Sequence, residues 1–404
     1  MCRKGIIGMS TLILGIGLAL LVGFNKVSYA WDVRIWDNDT TGWTTTFLDG
    51  DPIDTGTANP AYSPQLAIDS NGVVYGTYYQ SDGSNDHIYL SRYDGTDVRI
   101  WDNDTTGWTT TFSDGDPIDT GTANPVYSPQ LAIDSNGVVY VTYQQFYGSN
   151  DHIYLSRYDG TDVRIWDNDT TGWTTTFLDG DPIDTGTANL AEYPQLAIDS
   201  NGVVYVTYYQ SDGSNFHIYL SRYDGTDVRI WDNDTTGWTT TFLDGDPIDT
   251  GMANPSYRPQ LAIDSNGVVY VTYYQSDGSN FHIYLSRYDG TDVRIWENDT
   301  TGWTTTFSDG DPIDTGTANN AVSPQLAIDS NNNVVYVTYQ QVYWSNFHIY
   351  LSSAYPTPCT AAAAEINPTS VNINTQDQAF SYYIEPTINA ADSGVDKIEI
   401  TVPG

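Results

Sequence analysis

The sequence predicts an all-β protein, a five-bladed β-propeller. Three observations carry this. A segment opening with proline recurs at Pro64, Pro129, Pro194, Pro259 and Pro324, at intervals of 65 residues. The composition is rich in residues that suit pleated, half-buried surfaces and in residues that suit turns: 32 Tyr, 12 Trp and 35 Gly in 404 positions. Each copy also divides into short alternating runs separated by turn residues, at a period above 40 residues, which favours blades over the shorter coils of a solenoid.

Each repeat reads as four strands. In the first copy the innermost is Gln65–Asp69, followed by the turn Ser70-Asn71-Gly72 and a second strand from Val73. The third begins at His87, and Asp94-Gly95-Thr96 turns into the fourth, Asp97 to Trp101. Gly107 to Phe112 reads either as a fifth short strand or as an arm of the following loop. The fourth-strand string first occurs at Asp32-Val33-Arg34-Ile35-Trp36, with no earlier strands before it, and the fifth copy stops at Ser352-Ser353 without it. This permutation predicts that the N-terminal strand closes the last blade, which removes an open sheet edge.

Residues 1–30 read as a signal peptide: Arg3 and Lys4, an apolar run from Thr11 to Phe24, then Ser28-Tyr29-Ala30 as a small-x-small cleavage site. No later segment has the length and apolarity of a span, so no membrane insertion is expected after cleavage. The propeller is expected over 31–354. A linker (355–365) with Pro356, Pro358 and Ala361 to Ala364 leads to alternating runs in 366–404. These read as part of a β domain, Ig-like in kind, that a fragment would leave incomplete. Without the leader, Cys359 is the sole thiol, so no intramolecular disulfide is expected.

The formal net charge is −37, and losing Arg3, Lys4 and Lys26 with the leader makes it more negative. Such a surface repels nucleic acid and anionic lipid. It is compatible with cations or with plain solubility outside the cell.

The order SPQLAIDSNGVVYVTYYQSDGSNFHIYLSRYDG followed by Trp resembles blades of the sialidase-like, Asp-box propellers. The turn Ser91-Arg92-Tyr93-Asp94-Gly95 with Trp101 beyond it has the residue types of the Asp box without its spacing. The resemblance implies a propeller and raises glycoside hydrolysis as a possible activity. In that family three arginines near the axis hold the substrate carboxylate, beside a Tyr–Glu pair and an acid. Here no innermost strand carries arginine and only Arg258 precedes one. No catalytic residue is therefore carried over.

Symmetry points the same way. Hydrolysis needs different groups converging on one bond, whereas near-identical repeats supply the same group five times. The expected role is non-catalytic, multivalent binding outside the cell or at its surface, to a glycan or a cell-surface protein. A sialidase-like hydrolase and a structural spacer are the alternatives.

Three sets of residues are candidates. Trp43, Trp108, Trp173, Trp238 and Trp303 stand among Asp, Asn and Thr, as aromatic platforms for sugars do; packing between blades is the competing role. Tyr62, Tyr127, Tyr193, Tyr257 and Arg258 lie in the segment just before the repeat proline, which differs most between copies together with the loop after the second strand. In an up-and-down blade these two segments share a face, expected to meet the partner. The third set is the Asp-rich loop: Asp49, Asp51 and Asp54, then Asp114, Asp116 and Asp119, Asp179, Asp181 and Asp184, Asp244, Asp246 and Asp249, and Asp309, Asp311 and Asp314. Clustered carboxylates in a Gly-containing turn suit Ca2+; Asx turns are the alternative. No cofactor is required by either reading. The histidines His87, His152, His217, His282 and His348 open the third strand of each copy and are expected to bond within their own blade.

Overall fold

Alternation of Val, Ile and Tyr with Thr, Gln and Ser builds hairpins that stack into successive sheets. The computed structural model describes residues 32–355, apart from 40–41, 57–58, 105–106, 122–123, 170–171, 187–188, 235–236, 252, 299–301 and 317–318. The expected leader, the linker beyond Tyr355 and the C-terminal β segment lie outside the described residues. Two units are distinguished, Met1–Asp51 and Pro52–Gly404. Among the described residues no helix is long and apolar enough to cross a membrane.

In the first unit β1 (Ile35–Asp37) and β2 (Gly42–Thr44) form a two-stranded antiparallel sheet with Trp36 opposite Trp43. In the second unit the first sheet holds β3 (Ala61–Ile68), β4 (Val74–Ser81), β5 (Asp86–Tyr93), β6 (Val98–Asp102) and β7 (Gly107–Thr109). The second holds β8 (Val126–Ile133), β9 (Val139–Tyr147), β10 (Asn150–Tyr158), β11 (Val163–Asp167) and β12 (Gly172–Thr174). The third holds β13 (Ala191–Ile198), β14 (Val204–Ser211), β15 (Phe216–Tyr223), β16 (Val228–Asp232) and β17 (Gly237–Thr239). The fourth holds β18 (Ser256–Ile263), β19 (Val269–Ser276), β20 (Phe281–Tyr288), β21 (Val293–Glu297) and β22 (Gly302–Thr304). The fifth has three strands, β23 (Ala321–Asp329), β24 (Val334–Tyr343) and β25 (Asn346–Ala354). The protein is thus all-β, with five consecutive blade-type sheets whose neighbouring strands are antiparallel.

One alternative of the sequence reading is settled and one boundary differs. The GWT segment is a fifth strand rather than a loop arm, with Trp101 opposite Trp108. Its glycine is required: Gly107 has φ +95°, and a Cβ there would sit 2.9 Å from the Trp101 ring. The innermost strand also starts earlier, at Ala61 rather than Gln65, because a β-bulge carries its pairing past the repeat proline.

The core lies between sheets. Ile88 and Leu90 of β5 pack with Val126 of β8 and with Val139, Val141 and Tyr143 of β9. The same junction recurs from Ile153 and Leu155, from Ile218 and Leu220, and from Ile283 and Leu285. Complete burial of these branched side chains contributes about 1.5–3 kcal/mol each. Buried hydroxyls are satisfied locally: the Thr142 hydroxyl donates to Tyr154 O, and Ser156 donates to Ile118 O.

Candidate functional site

Every repeat kinks its innermost strand at one place. Tyr62 pairs with Tyr79 and Gln65 with Thr77, so Ser63 and Pro64 face Tyr78 alone. The residue before the proline takes a left-handed conformation in all five copies: Ser63 (φ +51°), Ser128 (+54°), Tyr193 (+52°), Arg258 (+50°) and Ser323 (+56°). None is glycine. Left-handed backbone costs such residues about 1–2 kcal/mol, and a following proline disfavours helical backbone further. Bulges of this kind re-aim side chains.

In the third and fourth repeats the bulge turns Tyr193 and Arg258 outward, and both are exposed. The Arg258 guanidinium lies 5.2 Å from the Tyr193 ring, which stacks on Tyr209 at 5.6 Å. Tyr257 bridges the two repeats. It meets Tyr209 edge-on at 5.5 Å, Phe216 at 5.5 Å and Tyr274 at 5.6 Å. Phe281 closes the far side against Tyr274 at 5.3 Å. A smaller version, Tyr62–Tyr79–Tyr127, joins the first two repeats at 5.3 and 5.5 Å. The two segments that vary between copies are therefore in contact on one rim.

Polar groups enter the larger cluster from three strands. The Tyr209 hydroxyl donates to Glu192 Oε2, and the Tyr193 N–H donates to Gln144 Oε1 at 3.0 Å. Burial pushes the Tyr209 phenol well up, and the bond to Glu192 and its charge push it further. Burial, reinforced by the Glu192 charge, raises the Asp151 carboxyl to about 6. Burial raises the Tyr274 phenol, and the charge of Arg258 partly opposes this. The rim thus combines one exposed ring, Tyr193, with buried and half-buried rings behind it, a cation and two carboxylates.

The other predicted residues lie elsewhere. Trp108 stands perpendicular to Trp101 at 5.6 Å and meets Tyr158 of the next sheet at 5.3 Å, while the Arg92 guanidinium covers one face at 4.4 Å. Trp173 is held alike by Trp166, Tyr223 and Arg157, and Trp238 by Trp231, Tyr288 and Arg222. The stacking arginine comes from the third strand of the blade. Trp303 keeps Trp296 and Arg287, but Ala354 stands where the tyrosine belongs, and a cavity of about 250 Å³ opens beside Trp296. In the first unit Trp43 lies edge-on to Trp36 at 5.8 Å and is exposed.

The loop carboxylates are drawn to three places. Asp51, Asp116, Asp181, Asp246 and Asp311 accept the N–H of Asn38, Asn103, Asn168, Asn233 and Asn298, each at 2.8 Å. Asp49, Asp114, Asp179, Asp244 and Asp309 face solvent. The third set reaches back to a histidine. Asp119 Oδ2 accepts the Ile88 N–H at 2.8 Å and lies 3.1 Å from His87 Nδ1. Asp184 pairs likewise with His152, Asp249 with His217 and Asp314 with His282. Asp54 accepts the Gly56 N–H. Among the described residues no three His, Cys, Asp or Glu side chains are grouped to hold a metal ion.

The paired histidines were expected to bond within their blades; Nε2 of His87, His217 and His282 does lie 3.4–3.5 Å from Asp82, Asp212 and Asp277 of its own blade, while Nδ1 of all four reaches the connection leading to the next sheet. Burial would pull these rings down, yet in His152 the bond to Asp184 and its charge outweigh it and leave the pKa raised. Glu192, Tyr209, Asp151 and Gln144 lie in the two segments that the sequence marks as variable, but sequence reasoning did not single them out as site residues. The departures of copies 2 and 3 from the consensus at positions 144 and 192 were the available signal.

No protein-family model and no curated protein matches the sequence. Among solved structures, one of unknown function from Dyadobacter fermentans is similar at 12% identity, covering 74% of this chain and 95% of that one, with a TM-score of 0.38. The endo-arabinase of Bacteroides thetaiotaomicron is similar at 11% identity, covering 73% and 94%, with a TM-score of 0.36. A ulvan lyase is similar at 9% identity, covering 72% and 70%, with a TM-score of 0.42.

Proposed function

We propose that this chain is an exported glycan-binding protein whose ligand rests on the tyrosine rim of the third and fourth repeats. The observation that supports it is the juxtaposition of exposed Tyr193 with Arg258 and Glu192, on backbone held left-handed without glycine. A sugar's apolar face stacks on such rings while carboxylates and a guanidinium take its hydroxyls. The tryptophans first singled out for this role become secondary, since three of them are covered by arginine and tyrosine. Export rests on the leader-like N-terminus.

A glycan-array screen of the purified chain tests the proposal, with Tyr193→Ala and Arg258→Ala in parallel. Wild-type signals that fall about tenfold or more in both variants are expected. A blank array, or signals unchanged by both substitutions, would remove the rim from consideration. Repeating the screen with a chelator tests the Asp-rich loops, where loss of signal would give Ca2+ a role.

One observation favours a second reading, glycoside hydrolysis. Burial and the charge of Glu192 raise the Asp151 carboxyl to about 6, the direction a general acid needs. Turnover of a bound glycan, abolished by Asp151→Asn with binding retained, would establish it.

A further inference from the structure

Two of the five loops after the second strand are built differently from the rest. In copies 1, 3 and 4 the loop carries Asp82, Asp212 or Asp277, whose Oδ1 accepts two backbone N–H groups of the loop itself, those of Ser84 and Asn85 in the first copy at 2.7 and 2.8 Å. Copies 2 and 5 have no such aspartate. Their strands run on into a two-residue turn: Gly148-Ser149 between paired Tyr147 and Asn150, and Trp344-Ser345 between paired Tyr343 and Asn346. The first residue of both turns is left-handed, Gly148 at φ +67° and Trp344 at φ +63°. Such hairpin turns take glycine at this position, because a Cβ there crowds the following carbonyl. Copy 2 obeys the rule, and copy 5 places the largest of side chains there.

Burial does not offset this strain. Trp344 is 87% exposed, and the ring it meets is Tyr343, itself 54% exposed, at 6.1 Å and nearly perpendicular. Tyr343 is held edge-on in turn by the His348 ring at 5.8 Å. The exposure belongs to the turn and not to the end of the row of sheets, as copy 2 shows. There β13 of the following sheet packs against β9 and β10, yet Tyr147 is 55% exposed and Gly148 and Ser149 are exposed with it. A fourth strand does not reach the turn either, since β11 pairs only with Ser156, Arg157 and Tyr158 at the opposite end of β10.

Strained backbone that holds an exposed ring outward marks a residue kept for contact. The character of the turn narrows the partner. From Tyr339 to Phe347 no side chain carries an acidic or basic group, in a chain of net charge −37. Ser345 and Asn346 are exposed beside the two rings and offer neutral hydrogen-bonding groups. A flat apolar ring edged by a hydroxyl and an amide fits the apolar face and the hydroxyls of an uncharged pyranose. We propose that Trp344, with Tyr343 as its side wall, is a second sugar subsite on the rim and takes a neutral hexose unit. This rests on the glycan reading of the rim and extends it: the shelf at Tyr193 and Arg258 offers charge, whereas the turn of the fifth copy offers none.

The test uses the purified full chain, with Trp344→Gly and Tyr193→Ala in parallel. Glycine is what copy 2 carries at this turn position, so Trp344→Gly is expected to melt no lower than the wild type. Electrophoresis through gels holding galactan, mannan or β-glucan is expected to retard the wild type in at least one of them. Trp344→Gly is expected to weaken that retardation about tenfold in apparent affinity. Equal retardation of the wild type and Trp344→Gly overturns the proposal, as does a wild type retarded by none of the three. A melting temperature clearly lowered in Trp344→Gly also overturns it, since the ring would then belong to the fold. Tyr193→Ala keeps the two sugar readings apart. Retardation lost in Tyr193→Ala and kept in Trp344→Gly sinks the subsite at the turn alone, and the reverse pattern sinks the shelf at Tyr193 alone. Flotation with phosphatidylcholine vesicles that depends on Trp344, without retardation by any of the polysaccharides, would overturn the proposal in favour of a membrane surface.

Discussion

The sheet junctions and the tyrosine rim are built by the same strands, yet they follow opposite rules. At the junctions the first four copies supply the same residues: the isoleucine–leucine pair of the third strand, the histidine–aspartate bond, the arginine over the GWT tryptophan. On the rim the copies diverge, with Tyr, Tyr, Glu, Tyr and Val two residues before the repeat proline. Close packing accounts for the first rule, since a side chain wedged between two sheets must fit both. Exposed positions carry no such restraint and are free to take on recognition.

The comparison breaks most visibly if a junction tolerates truncation. Trp166→Ala removes a ring that touches Trp173 and Tyr223, and a loss of about 3–5 kcal/mol in denaturant unfolding is expected. A loss under about 1 kcal/mol would mean that the sheets do not depend on one another.

A smaller effect separates the polar part of the junction from its apolar part. The paired histidines have raised pKa values in the fold. Their stabilisation is therefore complete below the ordinary histidine value of about 6.5 and is lost as pH rises through the higher folded value. Melting temperature is expected to fall across that window. Asp184→Asn should flatten the fall and lower stability on its acid side by about 1–3 kcal/mol. A slope unaltered in the variant would assign the pH dependence elsewhere.

The smallest effect lies on the rim. Ser128→Gly relieves left-handed backbone, partly offset by the extra freedom of glycine when unfolded, and a gain of about 0.5 kcal/mol is expected by thermal melts. A loss would show that the serine side chain contributes a contact that outweighs the strain.

The strands, their turns and the repeat were legible because periodicity of two and turn residues are local signals. The pairing of Asp119 with His87 was not, since it spans 32 residues and joins a loop to a strand of the sheet before it. The tryptophans were ambiguous for a similar reason: only the arginine from the third strand, two strands away in the sheet, distinguishes a covered ring from an open platform. The bulge left a trace, the proline after a variable residue, but its left-handed backbone follows from pairing that continues beyond the proline. The rim cluster was half legible. Variation located Tyr193, Tyr257 and Arg258, while Tyr209 looked like one more strand tyrosine until Glu192 was placed against it.

The uniformity of the junctions has a consequence for how the chain reaches its folded state. Five nearly interchangeable repeats give every third strand several equally good innermost strands to dock on, the condition under which repeat proteins misassemble. Here each sheet is formed by strands adjacent in sequence, and each junction joins consecutive repeats. Correct neighbours therefore meet first because the connecting chain is short, and the order of the sheets is a kinetic property of the tether rather than a chemical property of the faces.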